Sequence, residues 1–300
     1  MNYLNNIKKY IKSKFNKKDF IIIFILILFT NWIAQILIIP SGSMKNTLLV
    51  GDVVIGTKFN YGISFPKIPF SNISILPNYT KNDHLIDFNG PNRNEIVIFR
   101  YPNNPKILFV KRCFAKEGDE ILFNKRDFYL KVNQHTKKFI NNTFDENKEL
   151  ISNLVYINNE EWIKNPYSHI RKGINQEDSD LISKIKDNNK IKNIFDFMKI
   201  IYNEQHNQNI ELLKSRKDNV SNKLIVDMDL IKINNKEYFY KKLNKDEYYM
   251  IGDNRENSND SRFWGVVNYK HIIGRPLLVL FSINSGGLKK DRVFKFLLNE

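Results

Sequence analysis

Two serines two residues apart, Ser41 and Ser43 in the run Pro40-Ser41-Gly42-Ser43-Met44, are the first candidates for chemistry in this chain of 300 residues. A serine hydroxyl is a weak nucleophile and needs a base placed to take its proton. The histidines, at 84, 135, 169, 206 and 271, are scattered, none stands with Ser43 in a nucleophile motif, and Gly-x-Ser-x-Gly is absent. A desolvated lysine is the alternative base. Lys45 is near in sequence but occupies an exposed-looking turn; Lys111 lies in the run Lys106-Ile107-Leu108-Phe109-Val110-Lys111-Arg112. Strand alternation puts Lys111 on one face with Ile107 and Phe109, and Arg112 on the other with Leu108 and Val110. An amine among apolar neighbours loses hydration, and its pKa falls from about 10.4. Bringing it close to 7 destabilises the ammonium by roughly 4 kcal/mol. Spacing alone leaves two readings open, a buried base or a lysine that snorkels to water.

A second polar cluster follows the strand-like 248–251, as Gly252-Asp253-Asn254-Arg255-Glu256-Asn257-Ser258-Asn259-Asp260-Ser261-Arg262. Such side chains can satisfy one another and fix positions. The ligand spacing of an EF-hand is missing, the histidines show no zinc spacing, and neither a metal nor a cofactor is expected. The single cysteine, Cys113, excludes an intrachain disulfide and reads as buried filler.

These groups need elements to place them. Residues 20–39 form an uncharged apolar run, preceded by Lys8, Lys9, Lys12, Lys14, Lys17 and Lys18 with no acid before Asp19. At about 1.5 Å per residue the run spans the roughly 30 Å hydrocarbon layer, and the positive flank holds the N-terminus in the cytoplasm. It exceeds the about 7 to 15 residues of a signal-peptide core and ends in bulky Ile38-Ile39-Pro40, so an uncleaved anchor is expected. The remainder, at 42% hydrophobic and 26% charged overall, reads as globular. The net charge of +15 is spread among Asn and Ile without an aromatic-interleaved stripe, which argues against nucleic acid.

Beyond the anchor, 47–55 reads as strand, turn and strand about Gly51-Asp52, and 95–112 as the clearest strand pair. The proline-broken apolar segment 61–80 fits either a lipid contact or an edge hairpin. From 125 to 223 the chain is rich in Asn, Lys, Asp and Glu. Ile191, Ile194, Phe195, Met198 and Ile201 predict one amphipathic helix there. Strand signals return at 224–226 and 230–233. The expected organisation is a basic N-terminus (1–19), an anchor (20–39), a β domain from 40–124 and 247–285, an inserted domain (125–246) and a tail (286–300). The tail fits an interfacial helix or a frayed end.

The chain resembles the type I signal peptidases, membrane-bound serine proteases that remove signal peptides. The residues that carry the resemblance are Pro40-Ser41-Gly42-Ser43-Met44 with Thr47-Leu48 and Gly51-Asp52; Lys58-Phe59-Asn60-Tyr61-Gly62; the stretch 95–119 around Lys111-Arg112; and Gly252-Asp253-Asn254-Arg255 through Ser258, Asp260-Ser261-Arg262 and Trp264-Gly265. Ser-Gly-Ser-Met alone is a weak signal. The blocks in this order, behind an N-terminal apolar run, are a strong one.

The resemblance implies a mainly β, antiparallel catalytic domain with an inserted, partly helical second domain, anchored by one transmembrane helix in a bacterial plasma membrane with its catalytic side outward. It implies Ser43 as nucleophile, Lys111 as general base, and Ser41 with the Ser43 N–H as the oxyanion hole. Ser258 matches the serine that orients the lysine; Asp253, Asp260 and Arg262 match its polar scaffold. Ile39, Met44, Ile98, Phe109 and Val110 match pocket positions for small side chains, as suits Ala-x-Ala-like sites in secretory preproteins. Departures from better-known members are Asn46 in place of a proline, Cys113 at a small-residue position, and Phe-Ala-Lys-Glu at 114–117. Self-cleaving repressors share Ser-Lys chemistry, but they are soluble and bind DNA. A non-enzymatic anchored binding protein is the alternative of another class.

Overall fold

The computed structural model describes residues 16–28, 33–45, 47–65, 84–125, 127–133, 153–167, 193–206, 225–255, 257–284 and 286–297. The apolar run expected as one helix over 20–39 is divided. Helix α1 (Lys17–Leu28) takes its first part, begun by Asn16, whose Oδ1 accepts the Lys18 and Asp19 N–H groups at 2.8 and 3.0 Å. Strand β1 (Ala34–Ile38) takes its last part and pairs antiparallel with β2 (Asp52–Thr57), from Ala34 opposite Thr57 to Ile38 opposite Val53. Residues 34–38 are strand because an apolar ladder partner is available to them, a tertiary demand that a hydropathy window does not see. Among the described residues no helix is long and apolar enough to cross a membrane.

The expected strand over 47–50 is likewise absent. A 3-10 turn (Gly42–Met44) and further turns lead instead to Gly51, whose φ of 90° suits a residue without Cβ, and then to β2. A small pair, β3 (Gly62–Ser64) and β4 (His84–Asp87), follows; the segment between them lies outside the described residues, so the question of a lipid contact at 66–80 does too.

The predicted hairpin is present as β5 (Ile96–Tyr101) and β6 (Asn104–Ala115), joined by Pro102-Asn103, with Val97 opposite Lys111. Next come β7 (Glu120–Asn124), β8 (Asp127–Lys131), β9 (Leu154–Ile157) and β10 (Glu160–Lys164). Helix α2 (Ile194–His206) is the predicted amphipathic helix, burying Ile194, Phe195, Met198 and Ile201. Strands β11 (Asp229–Ile233), β12 (Lys236–Lys242) and β13 (Glu247–Ile251), the short helix α3 (Ser261–Trp264), β14 (Val267–Asn268) and β15 (Ile272–Asn284) complete the frame, with β16 (Gly287–Leu288) and β17 (Lys295–Phe296) in the tail. Residues 225–227 are not strand.

The first sheet runs β1-β2-β15-β5-β6-β13-β14, with β16 and β17 also on β15. The second runs β11-β12-β7-β8-β10-β9, and every recorded pairing is antiparallel. Strands β8 to β12 fall within 125–246, so the middle segment is more β than the partly helical insertion expected. It is joined to the first sheet through one core, in which Phe99 and Phe114 meet Phe123, Phe239, Met198 and Phe263.

Over residues 286–297 the tail is neither interfacial helix nor frayed end. After a 3-10 turn (Lys290–Arg292) it returns to the sheet, and Arg292 is buried, donating to Asp52 from Nε at 2.9 Å and Nη2 at 2.5 Å and to the Thr47 carbonyl at 3.0 Å. Asp52 also accepts the Leu49 N–H at 2.8 Å. Removing one partner of a buried ion pair strands the other charge. Arg292→Met is therefore expected to lower unfolding free energy by about 3 to 5 kcal/mol in a denaturant titration, and Arg292→Met/Asp52→Leu to recover much of it.

Candidate active site

Ser43 sits in the 3-10 turn at the entrance to the first sheet. Ser41 precedes the turn in extended backbone (φ −135°, ψ 155°) and leaves its hydroxyl out of capping, 3.3 Å from Ser43 Oγ. The first N–H groups of a helical turn have no partner inside it, so the Ser43 amide is available to a ligand.

Lys111 arrives from the middle of β6. Phe109 packs with one core cluster and Leu108 and Val110 with the other, as alternation predicts, and Lys111 is only 5% exposed. Nζ lies 2.6 Å from Ser43 Oγ and donates to the Val110 carbonyl at 3.2 Å. The Phe109 ring centroid is 5.2 Å from Nζ. Burial lowers the Lys111 pKa from 10.5 to about 8; Asp260 and Asp253 pull the other way, and Arg262 assists burial. Of the two sequence readings of this lysine, the buried one is realised.

Burial outweighs the pull of the two carboxylates on the amine, and each carboxylate is held by an arginine. Asp253 takes Arg112 in two bonds, Nε to Oδ1 at 2.8 Å and Nη2 to Oδ2 at 2.9 Å, and accepts the Thr47 hydroxyl at 2.7 Å. Asp260 takes Arg262 through Nε and Nη2, both at 2.8 Å, and the Gly252 N–H at 3.1 Å. Burial opposes ionisation of Asp260, but the Arg262 charge and these bonds outweigh it and hold the carboxyl below its usual range. Fork-to-fork pairs of this kind fix orientation as well as charge.

The loop 252–255 runs against the serine turn. Gly252 is required there, because a Cβ would come within 2.5 Å of the Ser43 carbonyl oxygen and collide with the Ser258 hydroxyl. Asn254 then donates its N–H to the Ser43 carbonyl at 3.0 Å and Nδ2–H to the Gly42 carbonyl at 3.1 Å.

Ser41, Ser43, Lys111, Asp253, Asp260 and Arg262 are thus brought together. Ser258 is buried beside them; its hydroxyl helps hold the Asp260 carboxyl low and does not bond Lys111. Of the pocket candidates, Ile39, Met44, Ile98 and Val110 pack in one cluster on one side of β6. Phe109 projects to the other side and stacks on Tyr101 at 4.7 Å between centroids. Sequence reading assigned no role to Arg112, Thr47 or Asn254. An arginine on an apolar strand face was a usable sign of a buried pair; nothing local marked Thr47 or Asn254.

The Ser43 hydroxyl thus stands against a buried amine, and among the described residues no histidine is bonded to it. The sequence model of the family described as "Signal peptidase, peptidase S26" matches residues 13–281. Signal peptidase I of Helicobacter pylori strain J99 is 38% identical over 268 residues, covering 88% of this chain and 80% of the relative. Signal peptidase I of Buchnera aphidicola subsp. Acyrthosiphon pisum is 30% identical over 254 residues, covering 82% and 68%. That of Aquifex aeolicus is 26% identical, covering 88% and 82%. The chain belongs to the signal peptidase family, peptidase S26, and is an enzyme of the serine endopeptidase class.

The lysine makes a stability prediction that needs no substrate. Below pH 8 folded and unfolded states both bind the proton, and the fold carries the cost of a buried ammonium; between 8 and 10.5 only the unfolded state stays charged, so stability rises with pH. Lys111→Met removes this titration. Its stability relative to the parent is expected to be about 3 kcal/mol more favourable below pH 8 than at pH 10.5, measured by denaturant unfolding. A difference independent of pH contradicts a perturbed lysine.

Proposed function

We propose that this endopeptidase removes signal peptides from exported preproteins after small-x-small sites, with Ser43 as nucleophile and Lys111 as general base. The observation that carries the reading is the 2.6 Å approach of Nζ to Ser43 Oγ in a buried setting. The neutral amine accepts the hydroxyl proton as Oγ attacks the scissile carbonyl, and the oxyanion receives hydrogen bonds from the Ser43 N–H and the Ser41 hydroxyl. The resulting ammonium gives its proton to the leaving amine. The acyl-enzyme that remains is opened by water, whose proton the same lysine takes.

Ser258, which the resemblance casts as the orienter of the lysine, makes no bond to it in this structure and is read here, with Asp253, Asp260 and Arg262, as part of the surroundings that hold the lysine without joining proton transfer. Ile39, Met44, Ile98, Phe109 and Val110 line shallow pockets that admit small side chains, and an extended substrate pairs with the neighbouring strands. The apolar stretch from residue 20, shortened by the strand at Ala34–Ile38, anchors the chain in the plasma membrane with the catalytic domain on its outer side. The basic flank before Asp19 supports that orientation. An anchored position brings Ser43 to the surface at which a translocated signal peptide presents its cleavage site.

Incubating detergent-solubilised enzyme with a secretory preprotein and sequencing the product's new N-terminus tests the specificity. Cleavage after small-x-small is expected, and cleavage elsewhere contradicts it. Ser43→Ala and Lys111→Met are each expected to lower kcat by at least about a thousandfold while remaining folded. In the parent, kcat/KM should rise with pH through a midpoint near 8 and then level. Normal processing by either variant overturns the mechanism.

A further inference from the structure

We infer that Asn254 is a positioning residue for catalysis: its side-chain amide aims the Ser43 N–H at the developing oxyanion. The inference rests on the reading of Ser43 just given and adds to it the device that orients the backbone donor.

The Gly42–Ser43 peptide is planar and trans, since the described residues contain no cis bond, and in such a unit the C=O and N–H point in opposite directions. Whatever fixes the Gly42 carbonyl therefore fixes the Ser43 N–H. The carbonyl accepts two bonds, from the Lys45 N–H at 3.1 Å within the 3-10 turn and from Asn254 Nδ2 at 3.1 Å. The first is local and frays with a three-residue turn. The second comes from a loop 212 residues away and ties the turn to the sheet.

Three features make Asn254 a rigid tether. The residue is 1% exposed. Its own N–H bonds the next carbonyl, Ser43 O, at 3.0 Å, so two successive peptides face the loop. Its amide can be set only one way, because an oxygen turned toward the Gly42 carbonyl would place two acceptors in contact; Oδ1 correspondingly has no partner. The cleft side of the Gly42–Ser43 peptide is then left to the N–H, adjacent to the Ser41 and Ser43 hydroxyls, which are 3.3 Å apart.

The contribution falls short of a deleted oxyanion donor because the Lys45 bond remains. Asn254→Leu, which keeps the shape and removes the donor, is expected to lower kcat by about tenfold to a hundredfold. The test uses full-length detergent-solubilised enzyme and a small-x-small peptide in three forms: the substrate, a reduced-bond analogue that cannot be cleaved, and an aldehyde that forms a tetrahedral adduct on serine. KM and analogue affinity should stay within about twofold, aldehyde affinity should fall by the same factor as kcat, and the pH midpoint should not move. Unchanged kcat, a parallel loss of analogue affinity, or a shifted midpoint each overturns the inference. Asn254→Ala is read in the same way, and if neither variant keeps the parent's unfolding midpoint the residue is structural and the inference falls. Failure of the underlying reading looks different, since Ser43→Ala would then still cleave the peptide.

Discussion

An ammonium buried without a carboxylate of its own is the constraint on which this site depends. Two carboxylates lie near enough to Lys111 to raise its pKa, yet burial wins and the value falls to about 8. The reason is that Asp253 and Asp260 are each occupied by an arginine fork, Arg112 and Arg262. Of the two arginines, Arg262 also acts on the amine and lowers its pKa, in part offsetting the carboxylates. The net effect, burial less the pull of the carboxylates, is a cost of about 3 kcal/mol for a shift from 10.5 to about 8. In the proposed mechanism, stability lost in this way is reactivity gained, because a serine nucleophile requires a neutral amine at near-neutral pH.

The same paired charges locate the nucleophile. Strand β6 carries both Lys111, which meets Ser43, and Arg112, which pairs with Asp253, so one strand sets both the proposed base and the frame behind it. Asp253 holds Thr47, Asn254 holds the carbonyls of Gly42 and Ser43, and Arg292 of the tail holds Thr47 and Asp52. The serine turn has little structure of its own. It is placed by segments more than 200 residues away in sequence, brought alongside by the pairing of β15 with β2 and of β13 with β6.

Much of this was legible in the sequence, and the failures have a common cause. The hairpin of β5 and β6 and the helix at Ile194–His206 carry their own periodicity, and both formed as read. The lysine's place on an apolar face was also local information. Whether that face was covered was not, because the cover includes the serine turn, 68 residues away in sequence, whose Ser43 Oγ meets Nζ. The strand at Ala34–Ile38 was misread as part of a helix since an apolar run does not declare whether its partner is lipid or another strand. Arg292 gave no sign at all. A basic residue in a charged tail looks solvent-exposed until its carboxylate, 240 residues earlier, is brought beside it.

The most direct measurement is a titration of Lys111 itself, following its side-chain methylene carbon by NMR in lysine-labelled enzyme, with Lys111→Met used to assign the signal. The account predicts a single titration near pH 8, well below the group of ordinary lysines near 10.5. A Lys111 signal that titrates with the other lysines would contradict it, since the amine would then be charged at the pH where Ser43 has to lose its proton.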